Sequence, residues 1–240
     1  MLNEDLQLKF EFHDIKHINK NDHILNKISK DNANSVNVYW LGKRDYVPVW
    51  ELQKEIHKRR SEKEINDIVL LLEHNHVYTL GKNADKNHIL SDKFEDTKVI
   101  QIDRGGDVTY HGPGQLVGYP IIDLHNYKMS INWYLNVLSV SIINLLSTLS
   151  VNSHYRDDYV GVWVDDSKIA AFGVRLSKWI TMHGFALNVN TNLKYYDGLI
   201  PCGIFECGVT SIFEQTSKQL SVEETARKFS KIFIKQLNKE

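Results

Sequence analysis

The chain contains little cysteine and little proline. Among its 240 residues there are only two cysteines, Cys202 and Cys207, and four prolines. Two cysteines cannot form the disulfide framework of a small secreted domain, and they favour a reducing compartment. An excess of charge of one sign is also missing, because the formal net charge is −1. No global basic field therefore indicates nucleic-acid binding, and no acidic tail is present.

Long apolar runs are missing as well. No stretch reaches the roughly 18 apolar residues that a membrane span needs. Residues 135–149 come closest, but asparagine and serine interrupt them, so they predict a buried helix. The N-terminus carries early acidic residues and no basic segment of the kind found in secretory signals. Either the protein stays where it is made, or a targeting segment is cryptic or absent from this chain.

Length and composition predict one soluble globular domain spanning residues 1–240. The chain is 42% hydrophobic and 25% charged, which is ordinary for such a domain. Within it we expect an N-terminal strand and polar loop over residues 1–35, a core over about 36–215, and a C-terminal helix over about 221–238. Strand and helix patterns mix without regular β-α-β alternation, which predicts an α+β fold.

Periodicity predicts the individual elements of that fold. Ser130 and Ser221 are expected N-caps of two helices, and Asp45 of a third that begins near Pro48. Residues 159–189 are expected to form an antiparallel meander of three strands. The remaining predicted strands are Leu6–Phe12, Val36–Leu41, Ile68–Leu72 and Val99–Asp103.

The most informative stretch runs from Arg104 to Tyr119. Four of the chain's 13 glycines fall between Gly105 and Gly114, interleaved with residues that can bind an anion or a hydrogen-bonding ligand. The pattern predicts two strands, at residues 108–110 and 115–124, that a Gly-Pro-Gly turn joins, with polar side chains directed into one pocket. An ordinary hairpin whose glycines only serve turns is the alternative.

Cys202 and Lys168 are the candidate catalytic residues. Cys202 lies between Pro201 and Gly203, a setting that presents a thiol on a tight turn and leaves backbone N–H groups near it. A small buried hydrophobe is the alternative role for a free cysteine. A thiol needs activation, which the ammonium group of Lys168 would supply if it lay beside the sulfur. An exposed lysine at a hairpin turn is the other possibility. Cys207 is expected to be structural.

The stretch from Arg104 to Tyr119 closely resembles the signature of the LipB-type octanoyltransferases, which act in lipoate biosynthesis. Four further blocks of this chain are similar to family motifs, in the same order, so that the resemblance covers the region from Glu73 to Ser211. These blocks are Glu73–Gly81, Lys168–Arg175, Thr181–Val189 and the stretch from Pro201-Cys202-Gly203 to Val209-Thr210-Ser211.

This resemblance implies a mixed sheet with packed helices, the fold of biotin and lipoate ligases. It implies that Cys202 attacks octanoyl-acyl-carrier-protein, that a lysine of an apo lipoyl domain then takes the octanoyl group, and that Lys168 serves as base. The acceptors implied are the lipoyl domains of 2-oxoacid dehydrogenase complexes and the glycine cleavage H protein. No metal and no other cofactor is required. The implied acyl pocket consists of Arg104, Gly105, Gly106, Asp107, Val108, Thr109, Tyr110, His111, Ala171, Phe172, Gly173, Gly184, Phe185 and Ala186.

The resemblance also bears on compartment and on secondary features. It implies a mitochondrion or another organelle that makes lipoate, or alternatively a bacterial cytoplasm. His111 and His183 are expected to form hydrogen bonds in the pocket, although a general-base role stays open. One helix carries several cations, which form either a solvated face or a dock for an acidic partner. Those cations are Lys54, His57, Lys58, Arg59, Arg60 and Lys63.

Three other functions stay open on the sequence. An ATP-dependent lipoate or biotin ligase would share the fold but would need no cysteine nucleophile. A non-catalytic module that binds acyl groups or a carrier protein would keep the pocket and be indifferent to Cys202. A Cys-Lys hydrolase would release free octanoate without an acceptor domain.

Overall fold

The computed structural model describes residues 9–28, 35–82, 84–90, 94, 97–199 and 208–239. Five α-helices occur in this part of the chain: α1 Asn21–Lys27, α2 Tyr46–Ser61, α3 Ile131–Ser147, α4 Ile212–Thr216 and α5 Val222–Leu237. The strands are β1 Lys9–Asp14, β2 Ser35–Arg44, β3 Asp67–His74, β4 Val77–Leu80, β5 Lys98–Gln101, β6 Val108–His111, β7 Gln115–Ile121, β8 His154–Arg156, β9 Gly161–Val164, β10 Ser167–Ser177, β11 Ile180–Asn188 and β12 Gly208–Val209. None of these helices is long and apolar enough to cross a membrane.

Two mixed sheets form the framework. The larger sheet has the order β1-β2-β3-β7-β11-β10-β9-β8, with β12 pairing with β10, and the smaller sheet has the order β5-β4-β6. Strands β1, β2 and β3 run parallel to one another, whereas β3, β7, β11, β10, β9 and β8 pair antiparallel in turn. The predicted α+β class is confirmed, and so is the antiparallel meander of β9, β10 and β11.

The large sheet is covered by helices on both faces, because its strands alternate apolar side chains between them. In β3, Val69 and Leu71 pack with α3 and α5, whereas Ile68 and Leu70 pack with α2. Helices α3 and α5 begin where predicted, since the side chains of their serine N-caps accept hydrogen bonds from backbone N–H groups in the first turn. The functional site lies on the face that carries α2.

Two predictions about local structure were wrong, and one alternative is excluded. Residues 21–27 form α1 within the predicted polar loop, because the buried Ile24 anchors that turn of helix against α2. The two strands predicted on either side of the Gly-Pro-Gly turn are present as β6 and β7, but they do not form the alternative hairpin, because β6 joins the small sheet beside β4 and β7 joins the large one. The Gly-Pro-Gly turn therefore connects the two sheets. Asp45 precedes α2 but makes no capping hydrogen bond, since its carboxylate accepts one from Asn75 instead.

Candidate active site

A cavity of about 380 Å³ opens on the α2 face of the large sheet. This volume lies within the range of roughly 300–1,000 Å³ that is usual for small-molecule sites. Strands β10 and β11 form its floor, and the loop between β5 and β6 covers it. The lining residues are Tyr46, Arg104, Gly106, Asp107, Val108, Thr109, His111, Tyr119, Asp158, Tyr159, Val160, Lys168, Ala171, Phe172, Gly173, His183, Gly184, Phe185 and Ala186.

The cavity is deep because the residues of its floor have small side chains or none. Ala171 pairs with Ala186 and Gly173 pairs with Gly184 across β10 and β11, so each cross-strand pair adds little bulk to the cavity. Gly173 also lets the covering loop approach, because a Cβ atom there would lie 2.7 Å from Cδ of Arg104. The backbone N–H of Gly105 donates to the carbonyl of Val174 at 3.1 Å and ties the loop to β10.

Lys168 lies at one end of this floor, and a β-bulge in β10 places it on the cavity face of the sheet. Simple alternation along β10 would place residues 168 and 171 on opposite faces of the sheet. The register shift between Lys168 and Ala170 inserts one residue, so Lys168 shares the face of Ala171 and Gly173. Its Nζ lies 4.9 Å from the ring centroid of Trp163, within range of a cation–π contact. A primary amine is thus brought to a cavity with a largely apolar floor.

Arg104 supports the covering loop from within. Its guanidinium is buried and donates to the carbonyl and the hydroxyl of Thr79, at 2.8 and 3.0 Å, and to the carbonyl of Gly105 at 3.0 Å. These bonds join the small sheet to the loop. Arg104 therefore lines the cavity while holding its cover in place.

Asp103 and His183 form a polar cluster at the cavity, in which His183 is buried and Asp103 is half-buried. The Asp103 carboxylate accepts hydrogen bonds from Nε2 of His183 at 3.0 Å and Nε1 of Trp50 at 3.1 Å, and it pairs with Arg175. Partial burial alone would raise the pKa of Asp103, but the His183 bond and the charge of Arg175 together lower it. Burial lowers the pKa of His183 to about 4, so its imidazole is neutral near pH 7. His183 adopts φ +59°, an unusual conformation for a non-glycine residue.

Three aromatic residues line the end of the cavity opposite Lys168, and a fourth, His74, lies behind them; we call the four the end wall: Tyr46, His74, His111 and Tyr119. His74 Nδ1 lies 3.0 Å from the carbonyl oxygen of Arg44, which only accepts, so Nδ1 carries the proton. Its Nε2 then accepts from the Tyr119 hydroxyl at 2.8 Å. The ring of Tyr46 stacks on His111, with centroids 5.8 Å apart. Burial lowers the pKa of His74 to about 4 and that of His111 well below its ordinary value.

Most of the predicted pocket residues line one cavity, and two do not. Gly105 holds the loop to β10 through its backbone, and Tyr110 packs away from the cavity, where its hydroxyl lies 2.7 Å from Nδ1 of His76. His183, which was expected to form a hydrogen bond in the pocket, also lines the cavity, and so does Tyr119, which falls within a sequence motif but was not assigned to the pocket. Tyr46 and the turn at residues 158–160 carry no motif signal. Cys202 and Cys207 lie outside the described residues.

The basic helix differs from the predicted docking surface. Arg60 is buried, where its guanidinium pairs with Asp67 at 2.8 Å and with Asp123 at 3.4 Å. Arg59 donates to the carbonyl of Leu25. Tyr46, the first residue of α2, lines the cavity, and Arg59 lies 13 residues further along the helix. This separates Arg59 from the cavity end of α2 by roughly 20 Å. Arg60 therefore stabilises the core and cannot form part of a docking surface.

Comparison with known proteins first identifies the protein family and its fold. The family model for the lipoyl protein ligase A/B catalytic domain matches residues 45–234, and the chain belongs to this family. A bipartite lipoate protein ligase from Thermoplasma acidophilum superposes with a TM-score of 0.65 at 14% identity, over 83% of this chain and 82% of that one. A lipoate-protein ligase A bound with ATP gives a TM-score of 0.63 at 16% identity, over 81% and 83%. These structural likenesses confirm the predicted biotin/lipoate ligase-like fold.

Sequence relatives narrow the class. The chain is 44% identical to the octanoyltransferase of Caldicellulosiruptor bescii, over 85% of this chain and 93% of the relative. It is 43% identical to the octanoyltransferase of Christiangramia forsetii, over 82% and 94%. Within its family the chain is therefore of the LipB-type octanoyltransferase kind, and it is an acyltransferase.

Proposed function

We propose that this acyltransferase moves an octanoyl group from octanoyl-acyl-carrier-protein to a lysine of an apo lipoyl domain through a thioester on Cys202. This would be the first step of endogenous protein lipoylation. The observation that carries the proposal is the β-bulge in β10, which directs Lys168 into a cavity with a floor of alanine and glycine. Such a cavity suits an unbranched acyl chain, and a primary amine at its end suits proton transfer.

The position of Lys168 relative to the following chain supports a Cys202–Lys168 pair. Strand β12 begins six residues after Cys202, and its Val209 pairs with Lys168 in β10. The backbone N–H of Thr210 donates to the carbonyl of Lys168 at 3.0 Å. Six residues span at most about 20 Å. The covalent chain therefore returns to Lys168 soon after Cys202, as the proposed pair requires.

The reaction has two balanced steps. In the first, the Cys202 thiolate attacks the thioester carbonyl, the bond to the carrier sulfur breaks, and the carrier thiol leaves with a proton that Lys168 donates. In the second, the acceptor amine attacks the acyl-enzyme, a C–N bond forms, and the Cys202 sulfur leaves while Lys168 takes the proton from nitrogen. The incoming thioester is already activated, so the proposal needs no ATP and no metal.

The cavity residues have assigned roles in this scheme. Ala171, Gly173, Gly184 and Ala186 contact the acyl chain, and the loop between β5 and β6, together with β6, covers it and excludes water. Phe172 and Phe185 lie on the same two strands, but their side chains pack in the core on the opposite face of the sheet and support the floor from behind. Acceptors would be the lipoyl domains of 2-oxoacid dehydrogenase complexes and the glycine cleavage H protein. The bacterial origin of the relatives favours a bacterial cytoplasm over a mitochondrion. The proposed catalytic domain spans residues 1–240.

The test is intact-mass measurement after mixing the protein with octanoyl-acyl-carrier-protein, without ATP. We expect one octanoyl adduct on the wild type, none on Cys202→Ala, and transfer of the adduct to an added apo lipoyl domain. Cys207→Ser is the matched control and should keep both the adduct and the transfer. An adduct that survives Cys202→Ala would remove Cys202 from the mechanism. A requirement for ATP and a free acid would instead favour a ligase, and release of octanoate without an acceptor would favour a hydrolase.

A further inference from the structure

The positions of Lys168 and Tyr119 set the direction in which an acyl chain would extend across the cavity floor. These two residues lie at diagonally opposite corners of the floor. Tyr119 follows Gly118, which pairs with Phe185, so Tyr119 lies beside Gly184 and level with Gly173. Strand β7 is two strands from β10, or about 10 Å. An acyl chain whose carbonyl is near Lys168 therefore extends toward the end wall.

The end wall is held rigidly from behind. The Tyr119 hydroxyl is bonded to His74, and His74 is bonded to the backbone of Arg44 in β2. Tyr46 packs against the imidazoles of both His74 and His111, at centroid distances of 4.9 and 5.8 Å. His111 is fixed in turn, because its Nδ1 lies 2.8 Å from the side-chain oxygen of Gln115. All four members are buried.

The end wall is also uncharged near pH 7. Burial lowers the pKa values of His74 and His111, and burial raises those of Tyr46 and Tyr119. None of these groups offers a charge to the substrate. The wall therefore resembles a packed core surface more than a binding site for an ionic group, and a packed surface accepts extra methylene groups poorly.

We infer that the end wall fixes the length of the acyl chain, with Tyr46 and Tyr119 contacting its methyl end. This inference rests on the proposed function, because it assumes that the thioester carbonyl lies at the Lys168 end. Each methylene beyond the permitted length must displace a hydrogen-bonded aromatic ring. Discrimination of one methylene in an apolar pocket is about 10–200-fold. The decanoyl group, two methylenes longer than octanoyl, should therefore react at least 10-fold more slowly.

The experiment measures kcat/KM and acyl-enzyme formation for hexanoyl, octanoyl, decanoyl and dodecanoyl groups on one carrier protein. In the wild type we expect a sharp fall between octanoyl and decanoyl. Tyr46→Ala removes part of the wall at the first residue of α2, where alanine suits a helix, and should raise the decanoyl-to-octanoyl ratio at least 10-fold. Ala171→Val should act in the opposite direction, lowering octanoyl relative to hexanoyl.

Tyr134→Ala is the matched control. Tyr134 is an equally large buried tyrosine, but it belongs to α3, which packs on the opposite face of the sheet, and it is not among the cavity residues. Its loss should cost stability without changing the length profile. A wild type that transfers octanoyl, decanoyl and dodecanoyl groups equally would overturn the inference while leaving the proposed function intact. An unchanged profile in both Tyr46→Ala and Ala171→Val would also overturn it. Failure of the wild type with octanoyl would refute the proposed function itself.

Discussion

Gly173→Ala tests the close approach between the covering loop and β10. The added Cβ would lie 2.7 Å from Cδ of Arg104, whereas favourable carbon contacts lie near 3.5–4.0 Å. Arg104 cannot swing away, because its guanidinium is buried in bonds to Thr79 and to the Gly105 carbonyl. The loop must therefore shift by about 0.8 Å or more relative to β10.

Two opposing effects decide the outcome of this substitution. A glycine-to-alanine change that the fold tolerates stabilises by about 0.4–1 kcal/mol, because the unfolded chain loses freedom. The steric conflict costs about 1–3 kcal/mol. The loop shift also threatens the 3.1 Å bond from Gly105 to Val174, a bond of a type that contributes about 1 kcal/mol. We expect net destabilisation of about 1–3 kcal/mol, or a fall in Tm of roughly 2–12 °C for a chain of this size.

The assay combines thermal unfolding with octanoyl transfer. Because the loop covers the acyl slot, a shift of this size should lower kcat/KM by about tenfold to a hundredfold. A Gly173→Ala protein with an unchanged or higher Tm and full activity would refute the claim that the loop is held against β10 at this glycine.

Two further predictions concern buried charge. Arg60→Ala leaves Asp67 buried without its ion pair and should lower the free energy of unfolding, measured in urea, by about 3–5 kcal/mol. Lys58→Ala, on the exposed face of α2, should change it by less than about 0.5 kcal/mol. Equal effects of the two substitutions would contradict the burial of Arg60. His74 and His183 have folded pKa values of about 4, below the ordinary value of 6.5. The folding free energy that depends on the neutral form of these histidines is fully present above pH 6.5. It decreases as the pH falls toward 4, by up to about 3 kcal/mol for each histidine. Unfolding midpoints that stay constant between pH 6.5 and 4 would contradict this assignment.

The elements that the sequence predicts well are those with strong local signals. Helices α3 and α5 have serine caps and apolar faces, and the meander has alternating strands separated by turn residues. The position of Lys168 has no such signal. It depends on a bulge that becomes visible only when the pairing of β9 with β10 is known. Local periodicity alone would have placed the lysine on the wrong face.

The site differs from the sequence expectations at residues whose position is set by contacts with residues distant in the sequence. The stretch from Arg104 to Tyr119 forms the two predicted strands, but local sequence does not reveal that β6 pairs with β4, 28 or more residues earlier. Tyr46 enters the cavity from the start of α2, far away in sequence and in no motif. Arg60 looks like one of several surface cations until Asp67 and Asp123 are brought to it by the sheet.

The most direct test of the account is the rate at which Cys202 is alkylated at pH 7, with Cys207 as an internal reference and peptide mass used to separate the two. An unassisted thiol is only a few per cent thiolate at this pH. If Lys168 ionises Cys202, that residue should react at least about 10-fold faster than Cys207, and Lys168→Met should abolish the difference. Equal rates in the wild type, or a fast Cys202 that is unaffected by Lys168→Met, would contradict the central claim.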